Sequence, residues 1–363
     1  MLSRITSCLL VGVLPAIAHA QSDVRIAPEP LCKRCSVDLE LVATLGSVDG
    51  PGALSGPIAS IAVDSKGRFY VADYLQSYQI LVYEPNGDFL GTIGRRGDGP
   101  GEYRHVVSVH IGDGDTLHIF DRMAHRYTVL GPDWNVVRTR LFPGAVMEAT
   151  STSKGEIVVS AQIRTPDRIG LPLHRFAGAG DSLISFGSEN PVVRPDMRYL
   201  ETRRIAPSRD GGVWSAHEAQ YHIERWGLDG KKKAGLYREV DWFPPYPKRL
   251  PLSPDNEPYP MLSDIHEDRA GRLWVAVWVP DTNWKAGLGE KVNGPEGPYY
   301  RIVDHSRLLD TMFEVIDPRT GRLVMSQRLP QMVIAFLNDE TIAGYRTDDD
   351  GIPFIDIWRV RIK

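Results

Sequence analysis

The chain is poor in cysteine, with three in 363 residues, so neither a dense disulfide scaffold nor a multi-cysteine metal cluster holds it together. It has no surplus of positive charge. Its 42 Lys and Arg face 46 Asp and Glu, a formal net charge of −4, which removes the electrostatic footprint of a nucleic-acid binder. Lys231-Lys232-Lys233 is too short a basic run to alter this and reads as solvated charge at a turn. Beyond residue 20 there is no apolar run of about 18 residues, so the mature chain is expected to have no transmembrane segment. Helical periodicity is almost missing, and so are a Gly-x-Ser-x-Gly elbow and a phosphate loop. Gly97, Gly99 and Gly101 do not open a helix and make no dinucleotide loop. His217-Glu218 is followed by His222, one residue too far for the helical zinc-protease motif.

The N-terminus reads as an export signal. Arg4 precedes a short apolar run at 8–17, and Ala18-His19-Ala20 forms a small-residue cleavage site before Gln21. The expected organisation is a signal peptide at 1–20, an N-terminal segment at 21–36 and one folded unit at 37–363, in a periplasmic or secreted protein. Cys32 and Cys35 remain after cleavage, and in an oxidising compartment they read as a small disulfide loop. A redox dithiol is the alternative reading. Ser36 stands where a covalently attached haem needs histidine.

What the chain does contain is punctuation. Its 34 Gly and 27 Pro close many short alternating runs. Ile58-Ala59-Ser60-Ile61-Ala62-Val63 leads through a Ser-Lys-Gly turn to Phe69-Tyr70-Val71-Ala72-Asp73. Ile80-Leu81-Val82-Tyr83 leads through Pro85-Asn86-Gly87 to Phe89-Leu90-Gly91-Thr92-Ile93. Four such strands form a sheet that is apolar on both faces and must stack on copies of itself. Copies follow at 106–141, 147–186, 202–240, 261–328 with a long insertion, and 333–362. The last copy has only three strands, and the alternating segment 37–45 is free to supply its fourth. The expected fold is therefore all-β: a six-bladed β-propeller closed by an N-terminal strand that completes the last blade. Closure removes the open sheet edges that would template aggregation.

Gly94-Arg95-Arg96-Gly97-Asp98-Gly99-Pro100-Gly101-Glu102-Tyr103 resembles the inter-blade loop of NHL repeats, and 45–52 is similar. The stretch 62–73 resembles the core of that repeat, and Asp121 and Arg126 keep its usual separation. The resemblance is strong over 37–144 and weaker in the fourth blade and the first half of the fifth. It implies a six-bladed propeller, an architecture that hosts unrelated functions. In related propellers, histidines around the channel hold zinc in amidating lyases, and carboxylates hold calcium in lactonases.

Propeller topology sorts the loops onto two faces. First-to-second and third-to-fourth hairpins share one face and are tight turns here. Inter-blade and second-to-third connections share the other, and include the long segments 94–105, 241–260 and 280–310. Long loops on a rigid scaffold carry function more often than short ones. The candidate ligand-binding residues on this face are Tyr78, His105, Arg126, Tyr221, Trp242 and Trp284, with Tyr299 and Tyr300 nearby in sequence. His105, His217 and His266 are candidate metal ligands, for zinc or calcium, if three of them converge. Asp348-Asp349-Asp350-Gly351 lacks the alternation of a calcium loop and reads as a turn. Two function classes lead. One is a cofactor-free binding propeller recognising a protein, peptide or carbohydrate on its aromatic face. The other is a metal-dependent enzyme of lyase or lactonase type with a site in the central channel. A purely structural module is a third.

Overall fold

The computed structural model describes residues 23–74, 76–176, 182–189, 202–244, 251–294 and 297–363. The expected signal segment 1–20, Ala177, and residues 245–250 of the long segment 241–260 lie outside them. Six blades of four antiparallel strands follow one another along the chain, the fourth with one added edge strand. Blade one is Ile58–Val63, Phe69–Asp73, Ile80–Tyr83 and Phe89–Ile93, in that order from inside to outside. Blade two begins with Val106–Gly112 and blade three with Ala145–Ser151. Arg203–Pro207, Met261–Glu267 and Met332–Asn338 are the inner strands of blades four, five and six. The fifth blade carries an inserted hairpin, Leu288–Gly294 paired with Gly297–Ile302, between its second and third strands. Among the described residues no helix is long and apolar enough to cross a membrane.

Ring closure takes the expected form. Val37–Leu45 lies outermost in blade six and pairs antiparallel with Pro353–Ile362, from Val37 opposite Ile362 to Leu45 opposite Ile355. The core is divided among the junctions between blades because alternate residues of a strand face opposite sides of their sheet. In blade one, Phe69, Val71, Leu81 and Tyr83 pack against blade six, whereas Tyr70, Ala72, Ile80 and Val82 pack against blade two. One buried apolar cluster fills each of the six junctions.

The turn chemistry repeats as well. Asp64 accepts from the backbone N–H groups of Lys66 and Arg68, from Arg68 Nε and from Tyr70 Oη. Asp268 does the same for Ala270, Arg272 and the Trp274 indole in blade five. Gly67 and Gly271 sit inside these two turns at φ of +81° and +74°, where a side chain would be strained. These aspartates are turn locks rather than catalytic groups.

The segment before Val37 is a strap around the rim. Val24–Arg25 adds a parallel strand to the outer edge of blade four. Ala27, Leu31 and Cys32 then donate backbone hydrogen bonds to Gly321, Leu323 and Val324 on the outer strand of blade five. Ile26 is buried in the junction of blades four and five. Cys32 and Cys35 form a disulfide just before the chain enters blade six.

Candidate functional site

The inner strand of each blade has one edge without a strand partner, and its N–H groups need acceptors. Side chains from the preceding blade supply them. Ser60 Oγ accepts from Val109 N at 3.1 Å, and Ser108 Oγ accepts from Ala149 N at 3.1 Å. Glu148 Oε2 accepts from Ile205 N at 3.1 Å, and Asp264 Oδ2 accepts from Phe336 N at 2.6 Å. The offset is the same each time: a side chain on one inner strand receives the N–H one residue past its counterpart on the next. By this register Arg204 is the counterpart in blade four. A guanidinium has no acceptor to give, and Ile265 N turns instead to Asp264 Oδ1 at 2.9 Å.

The result is a tunnel cavity of about 310 Å³ lined by all six inner strands, with Glu148, Arg204 and Asp264 side by side on blades three, four and five. Burial pushes Glu148 up to about 8 and Asp264 up to about 6, despite the nearby Arg204. Burial also opposes the charge on Arg204, but Glu218, Glu148 and Asp264 outweigh it and raise its pKa. Arg204 Nη2 donates to Glu218 Oε1 at 3.3 Å, in the connection between the second and third strands of blade four. This ties the charged layer to the long-loop face. His110 faces the same cavity, stacked on His118 with ring centroids 4.6 Å apart, and its two ring nitrogens are buried without a hydrogen-bond partner.

A raised carboxyl in the folded state means that the unfolded chain releases that proton first. The contribution of Glu148 to stability therefore falls as pH rises from its ordinary value of 4.5 to about 8, and is constant above that. Glu148→Gln keeps an acceptor for Ile205 N and removes the titration. Chemical denaturation across this range will show the variant gaining on the wild type as pH rises. A difference independent of pH would refute the buried-carboxyl account.

His105 directly precedes Val106–Gly112, the inner strand of blade two, on the long-loop side. Its Nδ1 is 3.0 Å from Ser77 Oγ, Arg122 Nη2 lies 3.3 Å from its Nε2, and Tyr74 meets the ring edge-on at 5.5 Å. Burial and Arg122 together lower its pKa. Tyr78 is half-buried in the same connection, 74–79. Arg126 points into the Gly-rich loop, where its guanidinium donates to the carbonyls of Asp98, Gly99 and Glu102 and lies over the Tyr103 ring. Tyr221 donates to Glu314 Oε2 at 2.5 Å. Trp242 packs against Tyr221 at 6.1 Å and beneath Arg238. Trp284 opens a short turn before the inserted hairpin, with Lys285 Nζ over its ring. Of the six candidates, the structure brings Tyr221 and Trp242 into contact.

The three candidate metal histidines have separate surroundings. His266 Nε2 is 2.8 Å from Asp339 Oδ1, between blades five and six. His217 lies in blade four beside Glu224 and His222, and burial drives its pKa down to about 3. Sequence reasoning did not single out Glu148, Arg204, Asp264, Arg122 or Tyr74. The first three share a signal, a charged residue on an inner strand four positions before the turn, but its meaning depends on how the blades stack.

Comparison with known proteins supports the architecture. Residues 54–143 match DUF5128, a family described as a 6-bladed beta-propeller. The match covers blades one and two. No curated protein matches the sequence. Among solved structures, a member of the DUF4221 family from Bacteroides vulgatus ATCC 8482 is similar with a TM-score of 0.58 and 11% identity, over 90% of this chain and 98% of that one. A protein of Bacteroides fragilis NCTC 9343 described as exported has a TM-score of 0.57 and 13% identity, over 90% and 95%. Virginiamycin B lyase from Staphylococcus aureus has a TM-score of 0.50 and 11% identity, over 89% and 99%. At these identities the likeness is one of fold. The six-bladed propeller stands, while the NHL-repeat likeness rests on the sequence resemblance of the inter-blade loops and of the stretch 62–73 alone.

Proposed function

We propose that the protein is an exported binding propeller that takes a protein, peptide or carbohydrate partner on its long-loop face, over the mouth of the tunnel. The observation that carries this reading is the unequal division of the loops. One face is made of tight turns, whereas the other carries the Gly-rich loop, the inserted hairpin and the connection that reaches Arg204. Exposed Tyr74 and Tyr299 stand on that face, with half-buried Trp284, His105 and Arg122. The hydrogen bonds of Arg122 run to His105 Nε2 and Met147 Sδ rather than to a carboxylate, which leaves its charge for a partner. Aromatic and arginine anchors around a concavity suit recognition of a polar chain. Export follows from the leader read in the sequence.

Immobilised peptide and glycan collections, probed with the mature protein, test the proposal. Partners held by the wild type should bind at least about tenfold more weakly to a Tyr74→Ala, Arg122→Ala double variant, since tenfold is only about 1.4 kcal/mol. Equal binding by the variant would move the site elsewhere. Failure of the wild type on both collections would count against a binding role.

The second reading, a metal-dependent enzyme with a channel site, draws on Glu148 and Asp264 in the cavity. Both already accept backbone N–H groups and have the Arg204 guanidinium beside them, so part of the negative charge that would hold a cation is already engaged. Metal that is lost on combining Glu148→Gln with Asp264→Asn would favour the enzyme.

A further inference from the structure

Blade four holds a second polar cluster, on its second, third and fourth strands and on the strap rather than on the inner strand. His217, His222 and Glu224 each present a ligand atom, and the three atoms lie within 4.8 Å of one another. His217 Nε2 is 3.6 Å from Glu224 Oε2, is closed to solvent and has no hydrogen-bond partner. His222 Nε2 lies 2.8 Å from Asp23 Oδ2. An imidazole that gives one N–H to a carboxylate keeps the lone pair of its other nitrogen, as metal-binding histidines generally do. Glu224 is itself supported: Trp226 Nε1 donates to its Oε2 at 3.2 Å and Lys232 Nζ approaches its Oε1 at 3.1 Å.

Asp23 reaches this place only because position 235 has no side chain. Gly235 is paired with Glu224 in the sheet, and a Cβ on it would overlap the Asp23 carboxylate. Lys232 Nζ also meets Asp23 Oδ1 at 2.8 Å. Two carboxylates, two histidines and one shared ammonium thus converge where the strap first touches the ring.

We propose that His217, His222 and Glu224 form a zinc(II) site, positioned by Asp23, that pins the strap to blade four. Two imidazoles and a carboxylate are a borderline donor set, matched to zinc, whereas calcium and magnesium take oxygen donors. The atoms are wider apart than the donors of a bound zinc, so binding draws His217 and Glu224 together. Two cations oppose the metal: Lys232, an ammonium on the carboxylate that it would use, and Arg203, whose charge acts on His217.

The mature protein, stripped with a chelator and dialysed against zinc chloride, should retain one zinc per chain by elemental analysis. Zinc should raise its unfolding temperature, because a ligand bound only by the folded state stabilises it. His217→Ala or His222→Ala should abolish retention, and exposed His125→Ala should not alter it. Asp23→Ala should weaken binding by about 10–100-fold, the usual effect of losing a group that orients a ligand. Lys232→Met should tighten it. Zinc kept by a folded His217→Ala, His222→Ala double variant overturns the proposal, as does no zinc above background in both the wild type and Lys232→Met. If the alanine variants do not fold, Glu224→Gln and Lys232→Met decide the matter. The first must loosen zinc and the second tighten it, and either result reversed overturns the site.

Discussion

Deleting residues 21–45 from the mature chain will abolish the cooperative unfolding transition and leave aggregated protein. The deletion removes the outer strand of blade six, paired with Pro353–Ile362 from Ile355 to Ile362, and so opens that strand's edge at the rim of the ring. It also strips Val37, Ala43 and Leu45 from two inter-blade clusters and Ile26 from a third. One residue suffices to test the same junction. Leu45 is wholly buried, and Leu45→Ala should cost about 2–5 kcal/mol in denaturant unfolding. Replacing the inserted hairpin 288–302 by a short Gly-Ser linker is the control, since its strands form a separate two-stranded sheet with mostly exposed or half-exposed side chains. That variant should unfold within a few degrees of the wild type. A cooperative melt in the 21–45 deletion at the wild-type temperature would show that the ring does not depend on closure.

The architecture was legible in the sequence because each strand end carries local turn chemistry. Ser-Lys-Gly, Pro-Asn-Gly and Asp-Gly-Gly mark hairpins whatever the rest of the chain does, and the count of strands then forces the closing segment 37–45. The strap at 23–36 was not legible. It has two prolines, two cysteines and almost no alternation, and only its place beside blades four and five turns Ile26 into a core residue. Arg126 shows the opposite difficulty. An arginine near a Gly-rich loop looks like a ligand contact, yet its Nη1 and Nη2 groups donate to three carbonyls of that loop, a use that no local pattern displays. The charged layer of the tunnel depends on inter-blade register. Glu148, Arg204 and Asp264 each stand four residues before the turn residue of their blade, Thr152, Ser208 and Asp268, and so share one level, but only the stacking of the inner strands turns that level into a cavity wall.

Glu314→Ala should be among the most damaging single substitutions in the protein, at about 3–5 kcal/mol, because it strands a buried charge. Glu314 is fully buried on the third strand of blade five. It accepts from Tyr221 Oη at 2.5 Å and Ser326 Oγ at 2.6 Å, and pairs with the Arg238 guanidinium, whose side chain is 4% exposed. Without the carboxylate, Arg238 keeps the carbonyl of Pro28 at 3.0 Å, and its remaining charge faces Tyr221 and Trp242. The exposed Arg25–Glu239 pair nearby provides the contrast, since surface pairs are typically worth under about 1 kcal/mol. Replacing both charges at once, Glu314→Leu with Arg238→Met, removes the stranded ion along with its partner. The double variant should therefore recover much of the loss, with a coupling on the order of 1–3 kcal/mol in a double-mutant cycle followed by tryptophan fluorescence. Additive losses would mean that the pair contributes as two separate packing groups. The cycle also bears on recognition, because Tyr221 and Arg238 hold the Trp242 ring at the base of the long-loop face. A double variant with restored stability but weakened partner binding would assign the network to shaping that face, a role that stability alone cannot imitate.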